Sequence, residues 1–117
     1  MRFEEFSFGS IRIDGTTNKY DVVIDRGQIR KRKKKPSKEF RAAFGHTPLS
    51  SEEAIPWRCQ QLVIGTGMGG LPVMDEVKMK HEANRRKIDL VILSTREAVR
   101  ELKPAPDGTN AILHVTC

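Results

Sequence analysis

The sequence predicts an α/β domain: a three-layer sandwich with a central mixed sheet, a β-α-β-α-β second half, and a small antiparallel β unit from the first half. Three observations carry this. From Cys59, the apolar run Leu62-Val63-Ile64 enters Gly65-Thr66-Gly67-Met68-Gly69-Gly70 and then Pro72, the pattern of a strand turning into a helix. Ile88-Asp89-Leu90-Val91-Ile92-Leu93 repeats it, with the capping box Ser94-Thr95-Arg96-Glu97 opening the next helix. Residues 3 to 13 and 20 to 24 instead alternate apolar and polar with a period of two. Two strands buried on both faces, each followed by a helix, imply parallel neighbours joined by a right-handed crossover.

Taken in order, residues 3 to 13 read as one bent strand or two short ones, interrupted at Gly9, with Phe6, Phe8, Ile11 and Ile13 on alternate positions. Asp14-Gly15-Thr16-Thr17-Asn18 reads as a loop, after which Tyr20, Val22 and Ile24 resume the alternation and complete a hairpin. Asp25-Arg26-Gly27 is a second turn, with Gly27 suited to a positive φ, and Gln28 to Arg32 can continue as a third strand that, basic on both faces, must be an edge or project from the body. From Lys33 to Leu49, Pro36 and Pro48 break any regular element, so the segment reads as a long loop, its basic part about 30 to 48. Ser50 or Ser51 caps a single helical turn through Glu52, Glu53, Ala54 and Ile55, ended by Pro56. A helix from Pro72 to Arg86 carries a thin apolar stripe of Val73, Met74 and Val77. The second helix turns Ala98, Val99 and Leu102 inward and stops at Pro104, and a last strand runs from Ala111 to Thr116.

At 117 residues the chain is read as a single domain over 1 to 117. Its longest apolar runs are strand-length, and the start Met1-Arg2-Phe3-Glu4-Glu5 resembles neither an export signal nor a transit peptide, so a cytoplasmic protein without a membrane span is expected. Cys59 and Cys117 lack the spacing of a metal or redox site, and no cofactor or metal is assigned. The net charge is +6, but residues 30 to 41 alone carry +7, so the remaining 105 sum to −1. The basicity is therefore local.

That basic segment, Arg30, Lys31, Arg32, Lys33, Lys34, Lys35, Lys38 and Arg41, is a candidate contact for nucleic acid or an acidic partner, against the alternative of a solvated edge. No aromatic residue interleaves the run Arg30 to Lys35, so base stacking would fall to Phe40 or Phe44. Gly65, Gly67 and Gly70 satisfy GxGxxG between a strand and a helix. Dinucleotide binding fails at the next requirement, because Ser94 stands where the ribose-binding acid belongs and Asp89 lies at the wrong end of its strand. The loop, Gly65, Thr66, Gly67, Met68, Gly69 and Gly70 with His46 and Thr95, is read as a tight turn that would take a small anionic metabolite if it took any ligand. His46 is the loop histidine placed for acid–base work; His81 on a helix and His114 on a strand are at no metal-ligand spacing. No catalytic residue is assigned.

Leu62 to Met68, Ile88 to Val99 and Leu113 to Cys117 together resemble the small MTH-type domain family, shared by an animal adipogenesis-associated protein and a mitochondrial complex I assembly factor. Gly45-His46-Thr47-Pro48-Leu49-Ser50-Ser51-Glu52-Glu53 is similar to the family's Gly-His loop and short acidic helix. The resemblance implies a three-layered fold with a central mixed sheet, no defined reaction, and a role through protein partners. Two departures bear on shared ligand surfaces. Arg100 to Gly108 replaces the family's Tyr-Asn pair, and Arg30 to Lys35 replaces its aromatic third strand. The reading that results is an adaptor or binding domain acting through a protein partner, with nucleic-acid binding at 30 to 41 and anion binding at 65 to 70 as alternatives.

Overall fold

The chain is described from a computed structural model, which covers residues 1–7, 9–33, 49, 53–67, 76–104 and 107–115. It is a mixed α/β structure of two sheets and, among the described residues, two helices. Strands β1 (Phe3–Ser7), β2 (Ser10–Ile13) and β3 (Thr16–Asn18) form an antiparallel sheet in that order. Here the expected loop over 14 to 18 is corrected. Asp14 and Gly15, at φ 49° and 80°, suffice for a two-residue hairpin turn, which frees Thr16, Thr17 and Asn18 to pair with Ile13, Arg12 and Ile11. The expected hairpin between 3–13 and 20–24 is also corrected, because these segments lie in different sheets.

The second sheet has the order β5-β4-β8-β6-β7, from β4 (Val22–Asp25), β5 (Gln28–Lys31), β6 (Gln61–Gly65), β7 (Asp89–Leu93) and β8 (Thr109–Leu113). β6 is parallel to both β7 and β8, whereas β4 is antiparallel to β5 and β8, so the sheet is mixed. The β4–β5 hairpin turns on Arg26 and Gly27, at φ 50° and 79°. β5 is the edge expected from its charge. β7 is the opposite edge and only half-buried, not enclosed on both faces as its apolar run suggested. The last strand begins two residues earlier than expected, at Thr109, and ends at Leu113.

Alternation along the central strands divides the core. Val22, Ile24, Val63, Ala111 and Leu113 pack with Phe3, Ile11 and Ile13 of the small sheet and with Ala98 and Leu102 of helix α2 (Thr95–Leu102). Val23, Leu62, Ile64 and Ile112 pack with Leu49, Ile88 and with Met79 and Ala83 of helix α1 (Glu76–Arg85). The stripe expected from Val73, Met74 and Val77 lies outside what is described, and the inward Met79 and Ala83 stand one turn apart at i and i+4. The expected start at Pro72 lies outside the described residues. The end of α1 is a Schellman motif, in which Ile88 N donates to Ala83 O at 2.8 Å and Lys87 N to Asn84 O at 3.1 Å, with Lys87 at φ 59°.

At the start of α2, Ser94 Oγ accepts from Glu97 N at 3.3 Å, as the capping box predicts. Of the helical turn expected to end at Ile55, Ser50, Ser51 and Glu52 lie outside the described residues, and residues 53 to 57 are not helical, the N–H groups of Ile55 and Trp57 each donating two residues back. This segment is held from outside. Asn110 Nδ2 donates to Pro56 O and Arg58 O at 2.9 and 3.2 Å, and Glu53 is bound through its side chain.

Candidate functional site at the carboxyl ends of the parallel strands

The register brings one end of every strand in the larger sheet into a row. Leu113 pairs with Gly65 and Val22, Gly65 pairs with Leu93, and Val22 pairs with Lys31. The next residues outward are therefore Arg32, Asp21, His114, Thr66 and Ser94. The loop leaving β6 leads to α1 on one face, and that leaving β7 leads to α2 on the other, which is the topology of a switch-point crevice. Asp21, Glu53 and His114, to which the sequence assigned no site role, join Arg32 in one cluster here.

Asp21 is the hub, with a side chain 0% exposed. Its Oδ2 accepts from Arg32 Nη1 at 2.9 Å and lies 2.8 Å from His114 Nδ1, while Oδ1 accepts from the Val115 N–H at 2.7 Å. Arg32 then forks onto Glu53, Nε to Oε1 at 2.8 Å and Nη2 to Oε2 at 2.7 Å, the bidentate geometry that guanidinium favours. Burial by itself would lower the Arg32 pKa, but the hydrogen bonds and charge of Glu53, then those of Asp21, outweigh it and raise the value. The Asp21 contact also selects a tautomer. An ionised carboxylate can only accept, so Nδ1 is the donor of this contact.

The glycine loop closes on the same histidine. Gly67 sits at φ 82°, and a Cβ there would lie 2.6 Å from His114 Cδ2. A Cβ on Gly65 would lie 2.9 Å from Thr95 Oγ1 and 3.0 Å from Leu113 Cδ2. Two of the three glycines are therefore required by close packing and a left-handed turn, without reference to a ligand. Thr95, expected to face a ligand, is instead fully buried, its hydroxyl accepting from Gly67 N at 2.7 Å and donating to His114 O at 2.7 Å. Thr66 is tied likewise, its Oγ1 donating to Leu93 O at 3.0 Å. Met68, Gly69, Gly70 and His46 lie outside the described residues.

The basic segment divides in a way its sequence does not suggest. Arg32 is corrected from a surface cation to a buried one, 1% exposed in its side chain, because two carboxylates draw it inward from the edge strand. Arg30 Nη2 donates to Ala54 O at 2.9 Å, and Lys31 and Lys33 are exposed. Lys31 Nζ stands 5.7 Å from the ring centre of Tyr20, which is 38% exposed, so an aromatic does accompany the basic strand after all. Lys34, Lys35, Lys38 and Arg41 lie outside the described residues, as do Phe40 and Phe44.

His81 is exposed on α1, and among the described residues no group of three His, Cys, Asp or Glu is placed to hold a metal. Cys59 is a free thiol, half-buried, with its pKa raised by burial. A cavity of about 460 Å³ lies at the far end of the sheet from this cluster, between the β4–β5 turn, the end of α2 and the start of β8. No helix is long and apolar enough to cross a membrane among the described residues.

The same fold recurs in solved structures. One is a conserved hypothetical protein, PH1505, from Pyrococcus horikoshii OT3, 29% identical over 100% of both chains with a TM-score of 0.74. A structure named MT938 is 24% identical over 98% of this chain and 97% of its own, with a TM-score of 0.67. An outer membrane protein from Bartonella henselae is 14% identical over 98% and 94%, with a TM-score of 0.64, and shows likeness of fold alone. No family model matches the chain, and no curated protein matches it.

Proposed function

We propose that this chain is a non-catalytic binding domain of the cytoplasm that engages a protein partner along the basic edge strand β5. The observation that carries the reading is the exposure of Lys31 and Lys33 on and beside an edge strand, with Arg32 locked into the fold beneath them. An edge strand offers unpaired backbone groups to an extended segment, and its cations select an acidic one. The resemblance to the small MTH-type domain family, with its three-layer sandwich and partner-based roles, supports the same reading. In that arrangement the small sheet and α2 form one layer over the mixed sheet, and α1 covers the other face. The test is cross-linking in cell extract followed by mass spectrometry. A reproducible partner joined through Lys31 or Lys33 and lost in Lys31→Glu/Lys33→Glu is expected. A partner set unchanged by that variant, or a small metabolite that alone raises the melting temperature, counts against the proposal.

A second reading, nucleic-acid binding, is favoured by one specific contact, the exposed Tyr20 ring beside Lys31. It supplies the stacking surface that the basic run lacks. Anisotropy of a labelled single strand would then fall steeply with salt, and Tyr20→Ala would weaken binding by about 1–3 kcal/mol. The third reading, a small anion at residues 65 to 70, has less support, since the Gly67 N–H that would meet it is already bonded to Thr95.

A further inference from the structure

We propose that the cavity between the two sheets, at the end of the molecule opposite the Asp21–His114 cluster, binds a small amphipathic anion of the medium-chain carboxylate class. Its walls combine two kinds of surface. Phe3, Ile24 and Leu102 line it from the main core, and Met1, 49% exposed, adds an uncovered apolar side chain. Arg26 and Lys103 line it with positive charge. The Arg26 side chain is 58% exposed with Nε bonded to Asp25 Oδ1, and Lys103 makes no ion pair among the described residues. Among the described residues of the lining, Asp107 is the one acidic residue. The volume of about 460 Å³ falls within the range of small-molecule sites, in which an apolar enclosure supplies affinity and a few polar groups set orientation.

The charge pattern selects among occupants. Arg26 already has Asp25 as a counter-charge, so a neutral apolar molecule would leave Lys103 without one among the described residues, and an amine would meet both cations. A carboxylate on an aliphatic tail satisfies both surfaces, its tail along Phe3, Ile24 and Leu102 and its head toward Arg26 and Lys103, away from Asp107. The backbone is also suited to substitution there. Arg26 occupies the left-handed region at φ 50° before Gly27, where asparagine is the preferred residue, so Arg26→Asn removes the cation while favouring the turn.

The experiment is a titration of the full chain with decanoate, below its micelle concentration, followed by methyl NMR, with decanol and decylamine as matched probes. Saturable shifts of the Ile24 and Leu102 methyls with decanoate are expected, and weaker binding of both controls. Lys103→Gln and Arg26→Asn are each expected to weaken decanoate by about fivefold, and Asp107→Asn to tighten it by about twofold, with decanol unaffected by all three. Absence of saturable shifts at those methyls overturns the proposal. So does decanol binding as tightly as decanoate, or indifference of decanoate to the three variants in proteins that retain their native spectra.

Discussion

The Arg32 side chain decides much of the chemistry at the sheet end, because it joins two buried carboxylates that come from separate parts of the chain. Removing it takes the guanidinium away from two carboxylates in a site with little access to water. Arg32→Met is therefore expected to cost about 3–5 kcal/mol, measured by chemical denaturation, while Lys33→Met next to it stays within about 0.5 kcal/mol. A different ion cluster sits on the surface. Hydrogen bonds from Arg85 and Arg86 hold the Glu82 carboxyl at about 2, against an ordinary 4.5. A folded-state pKa below the unfolded one stabilises fully above the unfolded value, and the benefit disappears as pH falls from 4.5 through about 2. An NMR titration of Glu82 should find this low midpoint, and about 1 M salt should move it upward, since the pair is solvent-exposed.

At the level of elements, the ends of α1 and β6 carry the clearest consequences. The Schellman position at Lys87 holds a non-glycine residue at φ 59°, a conformation that strains an L side chain. Lys87→Gly is expected to raise stability by about 0.5–1 kcal/mol in thermal melts, the relief of strain less the added chain entropy. The turn after β6 has the opposite requirement. Gly67→Ala combines a positive φ with a contact against His114, and is expected to cost about 2–4 kcal/mol. Adding His114→Ala should restore only the steric part, which a double-mutant cycle would resolve. Strands β6 and β7, the α2 cap and the β4–β5 turn were legible because each is written in consecutive residues. The Asp21–His114 pair was not, for its members stand 93 positions apart and neither breaks any local pattern.

Across the whole molecule, the two sheets act as one body. Phe3, Ile11 and Ile13 of the small sheet share a cluster with Ala98 and Leu102 of α2, and Gly9 N donates to Val115 O at 2.7 Å, tying the small sheet to the end of the chain. The single tryptophan, Trp57, packs against the other cluster, with Arg86 5.6 Å from its ring centre. Its fluorescence therefore reports the face remote from the small sheet, while far-ultraviolet circular dichroism reports both. Coincident denaturation midpoints by the two probes are expected, as for a two-state chain under about 150 residues. Separate midpoints would mean that the small sheet melts as an independent unit.

Local patterning was enough for the α/β class, the turn from β7 into α2 with its Ser94 cap, and the edge position of the basic strand, because periodicity and capping chemistry act over a few residues. Long-range pairing was needed to make a strand of Thr16 to Asn18, to put residues 3 to 13 and 20 to 24 in different sheets, and to leave β7 at an edge. It also decided the fate of individual charges: Arg32 drawn inward, Lys31 left outside against Tyr20, and His114 fixed to Asp21. The physical reason is that desolvation and pairing depend on what covers a residue. For these residues that cover comes from distant parts of the chain, so no run of neighbours along the sequence records it.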